Sequence, residues 1–316
     1  MEIKKINITK LIDTEQNFRP NDFKDFIGQK HIKKTLKIAI QSSIKRKSPL
    51  GHILLYGESG YWKTTLAQII ANQLGVNIKI ITWYAINKPA EIINILNNLK
   101  TWDILFIDEI HRLKPNIEEI LYIAMEDFVI DMIMPEWGNV RIPINKFTLI
   151  GATTKPEKLS LPFKNRFIYQ FHLQPYTPEE KLKIFERYCN FYWISWQNKS
   201  LINSLKEILP DSPRNIHNLA IMLRDFIISH NIKVLSDKDI EKFINWSNIK
   251  EGGLLPIHQS YIKILKNLGG WPVGLKTIAI NLWLGEKAIE EDIEPLLLKL
   301  GIIEKTSRWR ILKKFL

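Results

Sequence analysis

The chain has 316 residues, 45% apolar and 25% charged, with a formal charge of +12. Those proportions exclude a disordered protein, and at about 150 residues per domain the length suggests two or three domains. No run of about 18 apolar residues is present to cross a membrane, the start MEIKKINITK lacks an apolar signal core, and the single Cys189 excludes an internal disulfide or a Cys-rich zinc site. A cytoplasmic protein is therefore expected, and the excess of Lys and Arg favours a polyanion such as nucleic acid as partner.

Apolar runs of strand length alternate with helical patterns over the first 175 residues. His52–Tyr56 predicts a buried strand that runs into a Gly-containing turn, and Lys63–Leu74 predicts a helix with Leu66, Ile69, Ile70 and Leu74 on one face. Val76–Ile81, Ile104–Ile107 and Phe147–Ile150 are further short runs rich in β-branched residues, as parallel strands buried on both faces are. Pro115 opens another helix. Strands alternating with helices predict an α/β fold with a parallel sheet. From Thr177 the pattern is helical to about Ile249, opened by the capping box Thr177-Pro178-Glu179-Glu180. After Glu251-Gly252-Gly253, a helix from about Ser260, two more near 275–284 and 288–300, and a terminal ribbon at 301–304 and 310–312 describe a winged helix. The expected domains are 1–175, 176–250 and 251–316.

Two segments carry recognisable chemistry. Gly57-Glu58-Ser59-Gly60-Tyr61-Trp62-Lys63-Thr64 follows a strand and opens a helix, the context in which loop amides and a helix N-terminus cradle phosphates. Lys63 would reach the β- and γ-phosphates of ATP and the Thr64 hydroxyl would ligate Mg²⁺. The pattern G-x-x-x-x-G-K-[ST] breaks at one place, because Trp62 stands at its second Gly. Some 45 residues after Lys63, the apolar run 104–107 ends in Asp108 and Glu109. Asp108 suits Mg²⁺ and Glu109 suits activation of an attacking water. His111 is assigned no role. Arg19 by itself reads as a loop residue and Tyr176 as packing.

With these segments in view, the chain resembles the RuvB family, the AAA+ motors that drive branch migration of Holliday junctions. The resemblance rests on Arg19-Pro20 with FIGQ at 26–29, the P-loop, LFIDEIHRL at 105–113, AMEDF at 124–128, FTLIGATT at 147–154, YTPEE at 176–180, SPRNI at 212–216, GGWPVGL at 269–275 and IEP at 293–295. It implies a P-loop ATPase domain, a helical lid and a winged helix, assembled as a homo-hexamer on duplex DNA. It also implies site roles. Phe18 and Arg19 match the adenine-side contacts and Tyr176 the aromatic beside the nucleotide. Gly60, Lys63, Thr64 and Thr65 match the phosphate and Mg²⁺ loop, and Glu126, Asp127 and Phe128 lie where the family touches nucleotide. Thr154 matches sensor 1, Arg214 sensor 2, and Arg166 the finger given to the neighbouring subunit. The hairpin 127–144, with exposed Ile and Met, would dock a RuvA-like partner. Lys305 and Arg310 match wing positions that touch DNA, through phosphates rather than bases. Two other readings remain: an AAA+ machine of clamp-loader type, or a catalytically dead scaffold.

The tryptophans bear on that choice. Glycine is 14 of 316 residues, below the usual share of about 7%, whereas tryptophan reaches 10. Trp62, Trp83, Trp102, Trp137, Trp193, Trp271, Trp283 and Trp309 all fall where the resemblance puts Gly, at tight turns where a positive φ is expected. Either UGA codons written here as Trp are decoded as Gly in the source, or the chain is a degenerate pseudo-ATPase.

Overall fold

The computed structural model describes residues 19–134, 138–198, 200–269 and 271–313. These form two compact units, one reaching to Glu180 with Ser212–Arg214, the other made of Lys181–Asp211 and the chain from Asn215 on.

In the first unit, α1 (Lys30–Arg46) precedes β1 (Ile53–Tyr56), α2 (Lys63–Leu74), β2 (Ile78–Thr82), α3 (Pro89–Asn97), β3 (Ile104–Asp108), α4 (Pro115–Asp127), β4 (Val129–Met134), β5 (Gly138–Pro143), β6 (Thr148–Thr153), α5 (Leu161–Asn165) and β7 (Tyr169–His172). Five strands make a parallel sheet in the order β2-β3-β6-β1-β7. The apolar runs at 53–55, 104–107 and 148–153 are its three middle strands, fully buried because helices cover both faces. β7 was not expected. Its sequence YQFH has one deeply covered position, so it shows no apolar run although it closes the sheet beside β1. His52, at the mouth of β1, knits this core internally: its Nδ1 accepts from the Leu149 amide and its Nε2 meets the Met125 carbonyl. β4 and β5 pair antiparallel as a separate hairpin over 129–143, and its tip at 135–137 lies outside the described residues.

The second unit holds most of α6 (Pro178–Phe191), then α7 (Leu201–Ser204), most of α8 (Pro213–Ser229) and α9 (Asp237–Ser247). The capping box at Thr177 is present, with the Glu180 amide donating to Thr177 Oγ1 and the Thr177 amide to the Glu180 carboxylate. The winged-helix part comprises α10 (Pro256–Asn267), β8 (Val273–Gly274), α11 (Leu275–Leu282), α12 (Glu286–Ala288) continuing through a π-turn into α13 (Glu294–Lys299), β9 (Ile303–Lys305) and β10 (Trp309–Leu312). The first of these helices starts at Pro256, four residues before its expected start at Ser260, because proline at the first helical position extends it. The expected ribbon is really a three-stranded sheet, β8-β10-β9, with β8 too short to read from sequence. Tyr261, Leu265, Ile278, Ile289 and Leu297 fill its core.

Candidate nucleotide site

The sheet order places the C-terminal ends of β1, β6 and β3 side by side, where open parallel sheets bind ligands. From β1 the chain turns through Gly57 and Gly60, whose φ values of 147° and 79° call for residues without a Cβ. A Cβ on Gly60 would also come within 3.0 Å of Arg214 Cβ and 3.1 Å of Ser212 Oγ, so Arg214 lies against the loop. Lys63 opens α2 and folds back, its Nζ donating to the carbonyls of Gly57 (2.8 Å) and Glu58 (2.9 Å). Burial lowers its affinity for a proton. Glu109 and Asp108 counter that shift, while Arg214 adds to it. Thr65 is buried and Thr64 half-buried behind it.

β3 delivers Asp108, and the backbone then enters the left-handed region at Glu109, with φ 48°. That turn lets the Glu109 amide donate to Asp108 Oδ1 (3.1 Å) while its carboxylate swings to the end of β6. There Glu109 Oε2 accepts from Thr154 Oγ1 (3.1 Å) and lies 3.1 Å from His111 Nδ1. Burial, reinforced by the Glu109 charge, pushes the Asp108 carboxyl above its ordinary range. Two crowded carboxylates beside a lysine suit a divalent cation and a phosphate chain. Among the described residues no cluster of three or more acidic, His or Cys side chains could hold a metal. Mg²⁺ takes most of its ligands from phosphate and water, so Thr64 and Asp108 fit it.

Residue 62 does not fit this picture. Trp62 caps α2 at φ 60° and ψ 29°, and its indole is buried edge-on to Phe26 (5.5 Å) and Tyr176 (6.1 Å). The side chain therefore packs on Tyr176, the residue expected beside the nucleotide. Arg19 is exposed, and Phe18 lies outside the described residues.

The other residues expected at the nucleotide make these contacts. Arg166, just after α5, lies over the Tyr122 ring at 4.3 Å, bonds its hydroxyl, and pairs with Glu126 at 2.5 Å. Asp127 sits 3.8 Å from Arg141, and the Phe128 ring packs on His52 and Phe147. Glu126, Asp127 and Phe128 are thus engaged by Arg166, by Arg141 and by the His52–Phe147 pair.

The wing requires a correction. Arg310 is only 2% exposed, with Nε 2.7 Å from Glu294 Oε1 and Nη2 2.8 Å from Glu290 Oε1. Its guanidinium is the internal counter-charge of Glu294, which is itself fully buried and also bonded by the Tyr261 hydroxyl. It cannot reach a DNA phosphate without breaking these pairs. Lys305, one-third exposed, contacts the same two acids at 2.9 and 3.0 Å. Burial alone would raise the Glu294 carboxyl, but hydrogen bonds from Arg310 and Lys305 hold it below its usual value. Arg310→Ala should thus cost the winged-helix part about 3 kcal/mol in denaturant unfolding, since the buried Glu294 charge would keep only Lys305 and the Tyr261 hydroxyl as partners. A loss within experimental error would show the pair to be dispensable.

Four of the eight questioned tryptophans have left-handed backbones: Trp62, Trp102, Trp193 and Trp283, with φ of 60°, 75°, 51° and 56°. Trp193 follows α6 and Trp283 follows α11. At both, the next amide reaches back to close the helix, from Ile194 to Cys189 and from Leu284 to Ala279, the turn that glycine normally makes. The expected positive φ does not extend to Trp83, Trp271 and Trp309, and Trp137 lies outside the described residues. Trp83 packs on the core with Arg112 above its ring.

Residues 18–173 match the family described as the Holliday junction DNA helicase RuvB P-loop domain, and 251–314 match the RuvB C-terminal winged helix domain. A Nitratiruptor Holliday junction branch migration complex subunit RuvB is 41% identical over 94% of this chain and 89% of its own length. The subunit of the same name from Phytoplasma mali is 37% identical, covering 97% and 93%. In structure, the Thermotoga maritima RuvB Holliday junction branch migration motor superposes with a TM-score of 0.81 at 33% identity, over 94% of this chain and 96% of that one.

Proposed function

The chain belongs to the RuvB family, and on that membership we propose that it is an ATP-dependent motor that migrates Holliday junctions in recombination and repair. It would work in the cytoplasm as a homo-hexamer on double-stranded DNA, with a RuvA-like partner on the hairpin 127–144. The three-part division 1–175, 176–250 and 251–316 belongs to this proposal. It is supported by family matches that end at 173 and resume at 251. The observation that carries the function is the convergence of Lys63, Asp108, Glu109, Thr154 and Arg214 at three neighbouring strand ends.

ATP with Mg²⁺ supplies the phosphoryl group to be transferred and the divalent charge that accompanies it. The chain contributes position and charge. Loop amides, Gly60, Lys63 and Thr65 would hold the phosphates, and Thr64 and Asp108 the cation. Glu109 would take the proton of the attacking water on its carboxylate, kept in place by Thr154. Arg214, already against the loop, would sense the γ-phosphate. Arg19, Phe18 and Tyr176 would face the base. Lys305 would give the wing a point charge for DNA phosphate. A catalytically dead scaffold is the second reading, favoured by Trp62 alone; the winged helix speaks against a clamp loader.

Arg166, Glu126, Asp127 and Phe128 would serve the neighbouring subunit's site, and Arg166 already pairs with Glu126. Mixing Arg166→Ala subunits with Glu109→Gln subunits, each carrying Trp62→Gly, should then restore part of the hydrolysis that each lacks alone. Assembled mixtures that stay inactive at every ratio would contradict a finger acting across the interface.

A further inference from the structure

His111 sits three residues beyond Asp108 in a short helical turn, with a side chain only 5% exposed. Its Nδ1 lies 2.8 Å from Thr153 Oγ1 and 3.1 Å from Glu109 Oε2. Thr153 is fully buried at the last position of β6, and its hydroxyl already accepts the Lys155 amide at 2.9 Å. That amide fixes the hydroxyl oxygen, which in turn anchors the imidazole. Glu109 Oε2 is therefore held from two sides, by Thr154 and by His111.

We propose that His111 is a positioning residue for ATP hydrolysis, one that seats the Glu109 carboxylate against the end of β6 through its contact with Thr153. This rests on the reading of Glu109 as the base. The need for such a support is conformational. Glu109 has a left-handed backbone and follows the end of a strand, so its carboxylate has no helix or ladder of its own to fix its direction. A base must lie within about 3 Å of the proton it takes, and small displacements are costly. The imidazole has one nitrogen, with one proton or one lone pair, facing both partners. Seating the carboxylate takes the Nδ1–H tautomer, whose one proton is shared between Glu109 Oε2 and Thr153 Oγ1, because a bare Nδ1 would turn its lone pair on the carboxylate and repel it. Desolvation disfavours its charged form, Glu109 favours that form, and Arg112, Lys158 and Lys155 oppose it from the surrounding turns.

The test uses full-length Trp62→Gly protein as parent. His111→Ala should lower kcat about tenfold, as loss of a supporting shell does, with KM and ATP affinity unchanged. His111→Asn, whose amide nitrogen lies as many bonds from Cα as Nδ1 does, should recover most of the rate. Thr153→Val should reproduce the loss, and the double variant should be no slower than either single one. Independently of turnover, Glu109→Gln should lower the midpoint at which the His111 ring resonances titrate. An unchanged kcat in His111→Ala, a fall in ATP affinity equal to the fall in kcat, or an unmoved titration would each overturn the proposal. A parent that fails to hydrolyse ATP would instead overturn the ATPase reading, and the titration would then decide the role of His111.

Discussion

Trp62→Gly should switch on the ATP hydrolysis that protein carrying Trp62 is expected to lack. In a P-loop the residue before the lysine presents its amide to the phosphates, and the loop closes on them through a left-handed backbone. The backbone of residue 62 already has that conformation, at φ 60°. The side chain is the obstacle: the indole is buried against Phe26 and Tyr176, on the aromatic face expected to meet the nucleotide. Protein with Trp62 should therefore bind no ATP, and the glycine variant should bind and turn it over. Strain adds a second effect. A bulky residue in the left-handed region costs about 1–3 kcal/mol, and four tryptophans share that state against a typical stability of about 5–15 kcal/mol. Trp283 is 93% exposed, so its indole gains almost no packing in return, and Trp283→Gly should raise stability by about 1 kcal/mol. The geometry sorts the two explanations for these residues. Degeneration has no reason to place tryptophan at left-handed turns, whereas recoded glycine would fall there. A mass spectrum of native peptides spanning 58–63 reads the residue directly; tryptophan there would sink the recoding and leave a pseudo-ATPase. ATP hydrolysis by the literal Trp62 chain would contradict the steric argument itself.

In the glycine form, Lys63→Ala and Glu109→Gln should both abolish turnover but differ in binding. In the proposed role Lys63 would face the phosphates in the ground state, so its loss should remove ATP affinity as well as rate. Glu109 as base would act only when water attacks, and glutamine keeps its shape without a basic oxygen. Glu109→Gln should thus hold ATP with parental affinity and fall at least about a hundredfold in kcat, the contribution expected of a general base. Equal losses of affinity in a direct nucleotide-binding titration would contradict the two assignments.

The sequence shows chemistry best where it coincides with buried strands. The runs before Gly57 and Asp108 are apolar because helices cover both faces of the sheet, and each ends in the residues that matter. What escapes the sequence is who pairs with whom. Arg310 reads as a surface cation until Glu294 is found beneath it; two glutamates four apart on the preceding helix, at 290 and 294, were the only hint. His111 reads as a helix-start residue because its partners, Thr153 and Glu109, come together only when β3 and β6 pair. The left-handed backbones of Glu109 and Phe128 leave no mark either, since neither residue type announces a positive φ. At residues 62, 102, 193 and 283 the opposite holds: the wrong residue type at a glycine turn was the visible signal.

Hydrolysis at this site is expected to move DNA. A synthetic four-way junction with homologous arms, incubated with the glycine form and a junction-binding partner, reads that movement out. Arms should separate with ATP, and should not with a non-hydrolysable analogue or with the Glu109→Gln variant. Arm separation that persists with that variant, or steady ATP hydrolysis that leaves the junction in place, would contradict it.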